Sequence, residues 1–183
     1  MEKIISLERR IEKRLRKSVT TAGILFLVLV AGFYALGFRI NTTISEPKGL
    51  YVLTGKNRPE RGDLVIACPP IEAARLSIRR GYLHVSGNCP GGAIPFLKTL
   101  VAVPGDYVVM DRHGLSVNGK AVPNSTPLSV DSAGRKIERM RFRGRTTGYW
   151  LISSYSRKSF DSRYWGPVDR GAILSSIDPV LVF

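Results

Sequence analysis

The sequence predicts a mainly β domain carried behind a single N-terminal transmembrane helix, and three observations lead there. Residues 19–38, VTTAGILFLVLVAGFYALGF, hold no charged side chain over twenty positions. From residue 39 onward, short apolar and β-branched runs are separated by Gly, Pro and Asn, with no alternation of strand and long helix. An Asn118-Gly119 pair lies between two short apolar segments, a strong local hairpin signal. The 183 residues, 44% apolar and 23% charged, suit one domain of ordinary size plus an appendage and exclude a disordered or low-complexity chain.

The first 18 residues, MEKIISLERRIEKRLRKS, carry seven Lys or Arg against three Glu. Within them Ile4, Leu7, Ile11 and Leu15 recur at helical spacing, which suits a short interfacial helix on anionic lipid. As a helix, the apolar run of residues 19–38 reaches about 30 Å, the hydrocarbon thickness of a bilayer. The basic flank then places residues 1–18 in the cytoplasm and residues 39–183 on the other side of the membrane. Small residues late in the run (Ala31, Gly32, Ala35, Gly37) raise the competing reading of a cleavable signal peptide, but the run exceeds a usual signal core and favours a retained anchor.

Beyond the anchor, residues 51–54 and 64–67 read as strands bounded by turn formers. Pro69-Pro70 opens IEAARLSIRR, a short helix closed by Gly81. PFLKTLVAVPGDYVVM gives two strands broken at Pro104-Gly105-Asp106, and LSVNGKAV gives the hairpin. Residues 123–147, polar and rich in Arg, Ser and Gly, read as a long loop or excursion, and residues 149–154 and 180–183 close the domain as strands.

The net charge of +14 admits nucleic acid, an anionic membrane surface or an acidic partner. No dense basic stripe with interleaved aromatics occurs, so nucleic acid is not expected. Cys68 and Cys89 lack the CxxC spacing of a zinc site. They suit a disulfide if the compartment is oxidising, stabilising the domain by about 3 kcal/mol; two buried free thiols are the alternative.

Ser45, in TTISEPKGLY, has no histidine near it in sequence. A hydrolytic serine needs a base, commonly a histidine held by a carboxylate. His84 has no acidic neighbour and His113 lies at the approach to a tight hairpin, so a Ser-His-Asp arrangement is poorly supported. A lysine kept neutral by burial can do the same work. Lys98 is the one charged residue in AIPFLKTLVAV, so it is the candidate partner of Ser45; the ordinary alternative is an outward-pointing lysine.

Four blocks in order, TTISEPKGLY, RGDLVIACPP, FLKTLVAVPGDYV and SFDSRYWGPV, resemble the type I signal peptidases, most closely their TraF-type branch from conjugative transfer systems. The resemblance implies a signal-peptidase/LexA-like β-fold and a serine endopeptidase with Ser45 as nucleophile and Lys98 as general base. It implies that Thr43 joins the Ser45 backbone N–H as an oxyanion hole, that Ser159 orients the lysine amine, and that Asp161 and Arg163 form a bracing ion pair, with Asp161 also needed for activity. It further implies an inner-membrane, single-pass protein with a periplasmic catalytic domain, no cofactor and no metal. Its partners would be precursors with signal segments, such as a pilin precursor, together with membrane lipid and other transfer components. The chain departs from general signal peptidases at Glu46-Pro47, where they place Met after the nucleophile, and at Ser153-Ser154-Tyr155, where they carry Gly-Asp-Asn. Rival readings are a housekeeping leader peptidase, a self-cleaving repressor, which would need a DNA-binding module, and a non-enzymatic scaffold of the transfer apparatus.

Overall fold

The computed structural model describes residues 2–56, 58–83 and 87–183, with side chains in the first helix described from Glu12 onward. His84 and the side chains of Ile4, Leu7 and Ile11 therefore lie outside the described residues. Two compact units divide between Phe38 and Arg39.

The first unit is one continuous helix, α1 (Glu2–Ala35), so the basic arm and the apolar run share a single element. Its segment Glu12–Ala35 is long and apolar enough to cross a membrane, with a mean hydropathy of 2.0 and no part of that window buried. The helix stops three residues short of the apolar run's end. Gly37 takes φ +89°, a left-handed position that L side chains avoid, and its N–H caps the Tyr34 carbonyl at 3.1 Å.

Among the described residues the second unit is built on ten strands, the first of them starting at the last residue of the first unit: β1 (Phe38–Asn41), β2 (Gly49–Leu53), β3 (Leu64–Ala67), β4 (Phe96–Ala102), β5 (Tyr107–Asp111), β6 (Gly114–Val117), β7 (Lys120–Ala121), β8 (Phe142–Arg145), β9 (Trp150–Ile152) and β10 (Ile173–Val182). Six form a sheet in the order β1-β2-β10-β3-β4-β9, and four form a second in the order β7-β6-β5-β8. Short helices α2 (Ile71–Arg79) and α3 (Ser162–Trp165) complete it. The fold is mainly β with one long N-terminal helix, as the sequence predicts. The hairpin forms at Asn118-Gly119, where φ is +50° and +79°, the paired left-handed positions of a tight two-residue turn.

The core divides around β9, all three of whose residues are buried. Trp150 and Ile152 pack with Ala102, Val108, Met110, Leu115 and Val117, joining the two sheets. Leu151 packs with Val65, Ala67, Leu100, Val168 and Ile173. A bulge between Leu100 and Ala102, opposite β9, lets β4 contribute to both clusters.

Three segments differ from the sequence reading. The stretch 123–147 is not loop throughout, because Phe142–Arg145 pairs with β5 as an edge strand. Its alternation of one Phe with exposed arginines gives too little apolar signal to read as a strand. The last strand begins at Ile173 rather than near Val180; its register shifts between Ile173 and Ser175 and again between Pro179 and Leu181, where Pro179 reads in sequence as a strand breaker. Strand β1 was hidden in sequence by its continuity with the apolar run.

Candidate active site

The loop 42–48 between β1 and β2 is folded by one side chain. Asn41, at the end of β1, accepts from the Thr43 backbone N–H (3.1 Å) and hydroxyl (2.8 Å) at Oδ1. Its Nδ2 donates to the carbonyls of Thr43, Glu46 and Pro47 at 3.2, 3.0 and 2.9 Å. A short amide that bonds its own following backbone is the usual way a tight polar turn is fixed. The Tyr51 hydroxyl holds the other end, donating to the Pro47 carbonyl at 2.6 Å. The result presents Ser45 partly exposed and turns Glu46 inward, to 3% exposure.

Lys98 reaches the same place from β4. Along Phe96–Ala102 buried and half-buried residues alternate strictly, and Lys98 falls on the face of Phe96, Leu100 and Ala102. Register alone therefore buries it, leaving 3% of it exposed. Its Nζ donates to the Leu97 carbonyl at 2.7 Å and lies 3.1 Å from Ser45 Oγ. Thr43 Oγ1 also lies 3.1 Å from Ser45 Oγ.

The third side of the site is the segment from Ser153 to Arg163. Val65 pairs with Lys98 on β3, and the β4–β9 register, continued one residue, sets Ser153 across from Lys98 on the other side. The Ser153 hydroxyl donates to the Ser45 carbonyl, and its backbone N–H donates to Asp161 Oδ2 at 3.0 Å. Asp161 and Arg163, both fully buried, are joined by two bonds of 2.7 and 2.6 Å. Arg163 also donates to the carbonyls of Asn124, Ser156, Arg157 and Ser159. The pair thus fixes the segment that carries Ser153, and through it the backbone at Ser45.

The electrostatics follow from this burial. Desolvation pulls the Lys98 amine down to about 8, against the attraction of Asp161 and Glu46 and with help from the Arg163 charge. Desolvation pushes the Glu46 carboxyl up to about 7; Lys98 works against the rise and Asp161 adds to it. An amine lowered this far can accept a proton near neutral pH.

Of the residues singled out in sequence, the structure gathers Ser45, Lys98, Thr43, Asp161 and Arg163 around one point. Ser159 is different: its hydroxyl is buried, with no hydrogen-bond partner among the described residues, and Lys98 is held by Leu97 and Ser45 instead. His113 sits at the exposed β5–β6 turn, its imidazole 3.0 Å from Arg112 Nε. Cys68 and Cys89 are joined in a disulfide with Cα atoms 5.4 Å apart. The sequence reading missed Asn41, Glu46 and Ser153 as parts of the site. Asn41 has a local signal, an amide opening a polar turn, whereas the other two depend on burial that only packing decides.

A family model described as signal peptidase, peptidase S26, matches residues 13–181. A plasmid transfer protein TraF from Escherichia coli is 39% identical over 178 residues, covering 95% of this chain and 99% of the relative. A conjugal transfer protein TraF from Agrobacterium tumefaciens (strain 15955) is 36% identical over 167 residues, covering 90% of this chain and 94% of the relative. A crystal structure of a signal peptidase I from Enterococcus faecalis V583 aligns with a TM-score of 0.36 and 18% identity, over 65% of this chain and 96% of its own.

Proposed function

The chain belongs to the signal peptidase family, peptidase S26, and from that premise we propose that it is a membrane-anchored serine endopeptidase working through Ser45 and Lys98. Neutral Lys98 takes the Ser45 hydroxyl proton, and Ser45 Oγ attacks the carbonyl of the scissile peptide. The Ser45 backbone N–H stabilises the resulting oxyanion, and the Thr43 hydroxyl joins it by turning away from Asn41 Oδ1, to which it donates in the free protein, a contribution of several kcal/mol in comparable sites. Lys98 returns its proton to the leaving amine, and the acyl group stays on Ser45. Water, deprotonated by Lys98, then releases the product. The observation that carries this reading is the 3.1 Å separation of Lys98 Nζ and Ser45 Oγ, with the amine buried and the hydroxyl accessible.

The substrates are exported precursors carrying a signal segment, and the names of the relatives favour a conjugative transfer context, with a pilin precursor as the leading candidate. Ser45 follows the apolar run by only seven residues, which suits cleavage close to a membrane. The anchor lies in the inner membrane with residues 39–183 in the periplasm, a reading supported by the basic flank of the helix. The acyl-enzyme could also be resolved by the substrate's own N-terminal amine, closing a ring.

Co-expression with the pilin precursor tests this reading. Ser45→Ala and Lys98→Ala should each leave a folded protein and uncut precursor on immunoblots, and continued cleavage by either variant would overturn the dyad. The mature product's mass separates water from amine, since ring closure leaves it one water lighter than the linear form.

A further inference from the structure

The free edge of the second sheet carries a row of arginines. Residues 135–145 read RKIERMRFRGR, six basic side chains against one acid. Arg139, Arg141, Arg143 and Arg145 are exposed and alternate with the half-buried Met140, Phe142 and Gly144. Where the chain is extended, successive arginines of such a row stand about 7 Å apart on one face. The alternate side chains fix the strand from below: Met140 and Phe142 pack against the Trp150 cluster, with the Phe142 and Trp150 rings 5.3 Å apart. Arg145 Nη1 donates to the Gly105 carbonyl at 2.8 Å. The side chains of Arg139, Arg141 and Arg143 have neither ion pair nor hydrogen bond among the described residues, and the exposed Glu138 pairs with none of them. The backbone of the same strand is also unpaired on one side. Tyr107 of β5 uses its N–H and carbonyl on Asn118, at 2.8 Å each, so the opposing Arg145 points its own N–H and carbonyl away from β5. Arg143, two residues earlier, faces the same way, and β8 ends the sheet order β7-β6-β5-β8.

We propose that β8 is a docking edge for an acidic partner protein: an extended segment with Asp or Glu at alternate positions adds antiparallel to it as a further strand, its carboxylates beside Arg139, Arg141 and Arg143. An open strand edge is a template for such addition, the backbone supplying affinity and the alternate side chains selectivity. Residues directly opposite each other on neighbouring strands share a face, so carboxylates two apart meet guanidiniums two apart. The planar guanidinium fork pairs with a carboxylate through two hydrogen bonds. A second copy of this chain is disfavoured at the same edge, because its own arginines would be set against these. An anionic lipid surface would meet the side chains but leave the N–H and carbonyl groups of Arg143 and Arg145 unpaired, so the edge selects a peptide. At the start of the row a hollow of about 590 Å³, bordered by Val130, Lys136, Ile137, Glu138, Arg139 and Arg141, gives the added strand a place to seat its end. Ser45, Lys98 and Ser153 belong to the first sheet and its loops, whereas β8 belongs to the second, so the partner is a protein other than the peptide being cut.

The full chain in nanodiscs of zwitterionic lipid is titrated against a labelled peptide of alternating Glu and Thr, followed by fluorescence anisotropy. The wild type should bind it, and the triple variant Arg139→Ala, Arg141→Ala, Arg143→Ala should weaken Kd by about tenfold, the combined effect of three exposed charge pairs. Replacing the same three by Glu should transfer binding to a peptide of alternating Lys and Thr. Two control peptides need no variant: one with its Glu residues gathered in a block, and one N-methylated at each Glu so that it cannot donate to the edge. Both should bind the wild type more weakly than the alternating peptide. Equal binding of either control, or displacement of the alternating peptide by phosphatidylglycerol vesicles matched in charge, would show a general anion surface and overturn the proposal. Precursor cleavage should be the same in the wild type and the triple alanine variant, since none of these arginines bonds Ser45 or Lys98. A loss of cleavage in step with peptide binding would assign the edge to the precursor and overturn a separate partner. Peptide binding is read without any reaction, so failure of the Ser45–Lys98 dyad would leave it standing.

Discussion

Arg163 spends every donor inside the protein, on Asp161 and on four carbonyls of the segments that frame the site. Removing one member of a buried pair strands the other, so Arg163→Ala should cost about 3–5 kcal/mol of unfolding free energy, measurable by denaturant titration. Arg163→Lys should recover little of it, because a point ammonium cannot reproduce the planar fork. At this scale the sequence was most informative about Ser45 and Lys98. A lysine inside an apolar strand and a serine with no histidine nearby are local anomalies, visible in a line of text. Glu46 and Ser153 were not visible in that way. A glutamate or serine in a polar stretch is ordinarily solvated, and what buries these two is the turn made by Asn41 and the register of β4 against β9.

Among the elements, β4 decides the chemistry. Its alternation puts Lys98 inside, and a slip of one residue would send the amine to solvent and Leu97 and Thr99 inward. The segment leading into β4 is held by the Cys68–Cys89 disulfide, which ties the end of β3 to the turn before Ala93; both cysteines pack with Ala74 of α2. Replacing both cysteines by Ala should lower unfolding free energy by about 3 kcal/mol through the unfolded chain, read as a shift in denaturant midpoint against the oxidised wild type. An unchanged midpoint would mean that packing around Ala74 and Ala93 holds the segment unaided. Strands with alternating or continuous apolar residues were legible within two or three residues of their ends. The β8 strand and the first half of β10 were not, since one is an arginine-rich edge and the other carries Ser175, Ser176, Asp178 and Pro179.

For the whole molecule, charge and hydropathy divide the labour. Residues 19–35 of the first helix hold no charged side chain and its span is apolar enough to cross a membrane, and residues 39–183 carry 21 Lys and Arg against 11 Asp and Glu. A protein held by hydrophobic insertion resists both salt and high pH, whereas one held by surface charge is released by salt. The full chain should therefore stay in the membrane pellet after carbonate and after high-salt washes, and its appearance in either supernatant would refute the anchor. What the sequence determined by itself was whatever rests on local chemistry: the apolar run, the turns, the period-two strands, and the family's motifs in their order. The tertiary structure alone decided which side chains lose their water. It brought Lys98 on β4 and Ser45 on a loop 53 residues earlier to 3.1 Å, and it buried Glu46 beside them. Burial sets protonation, and burial belongs to the packing of distant segments, which no single stretch of sequence contains.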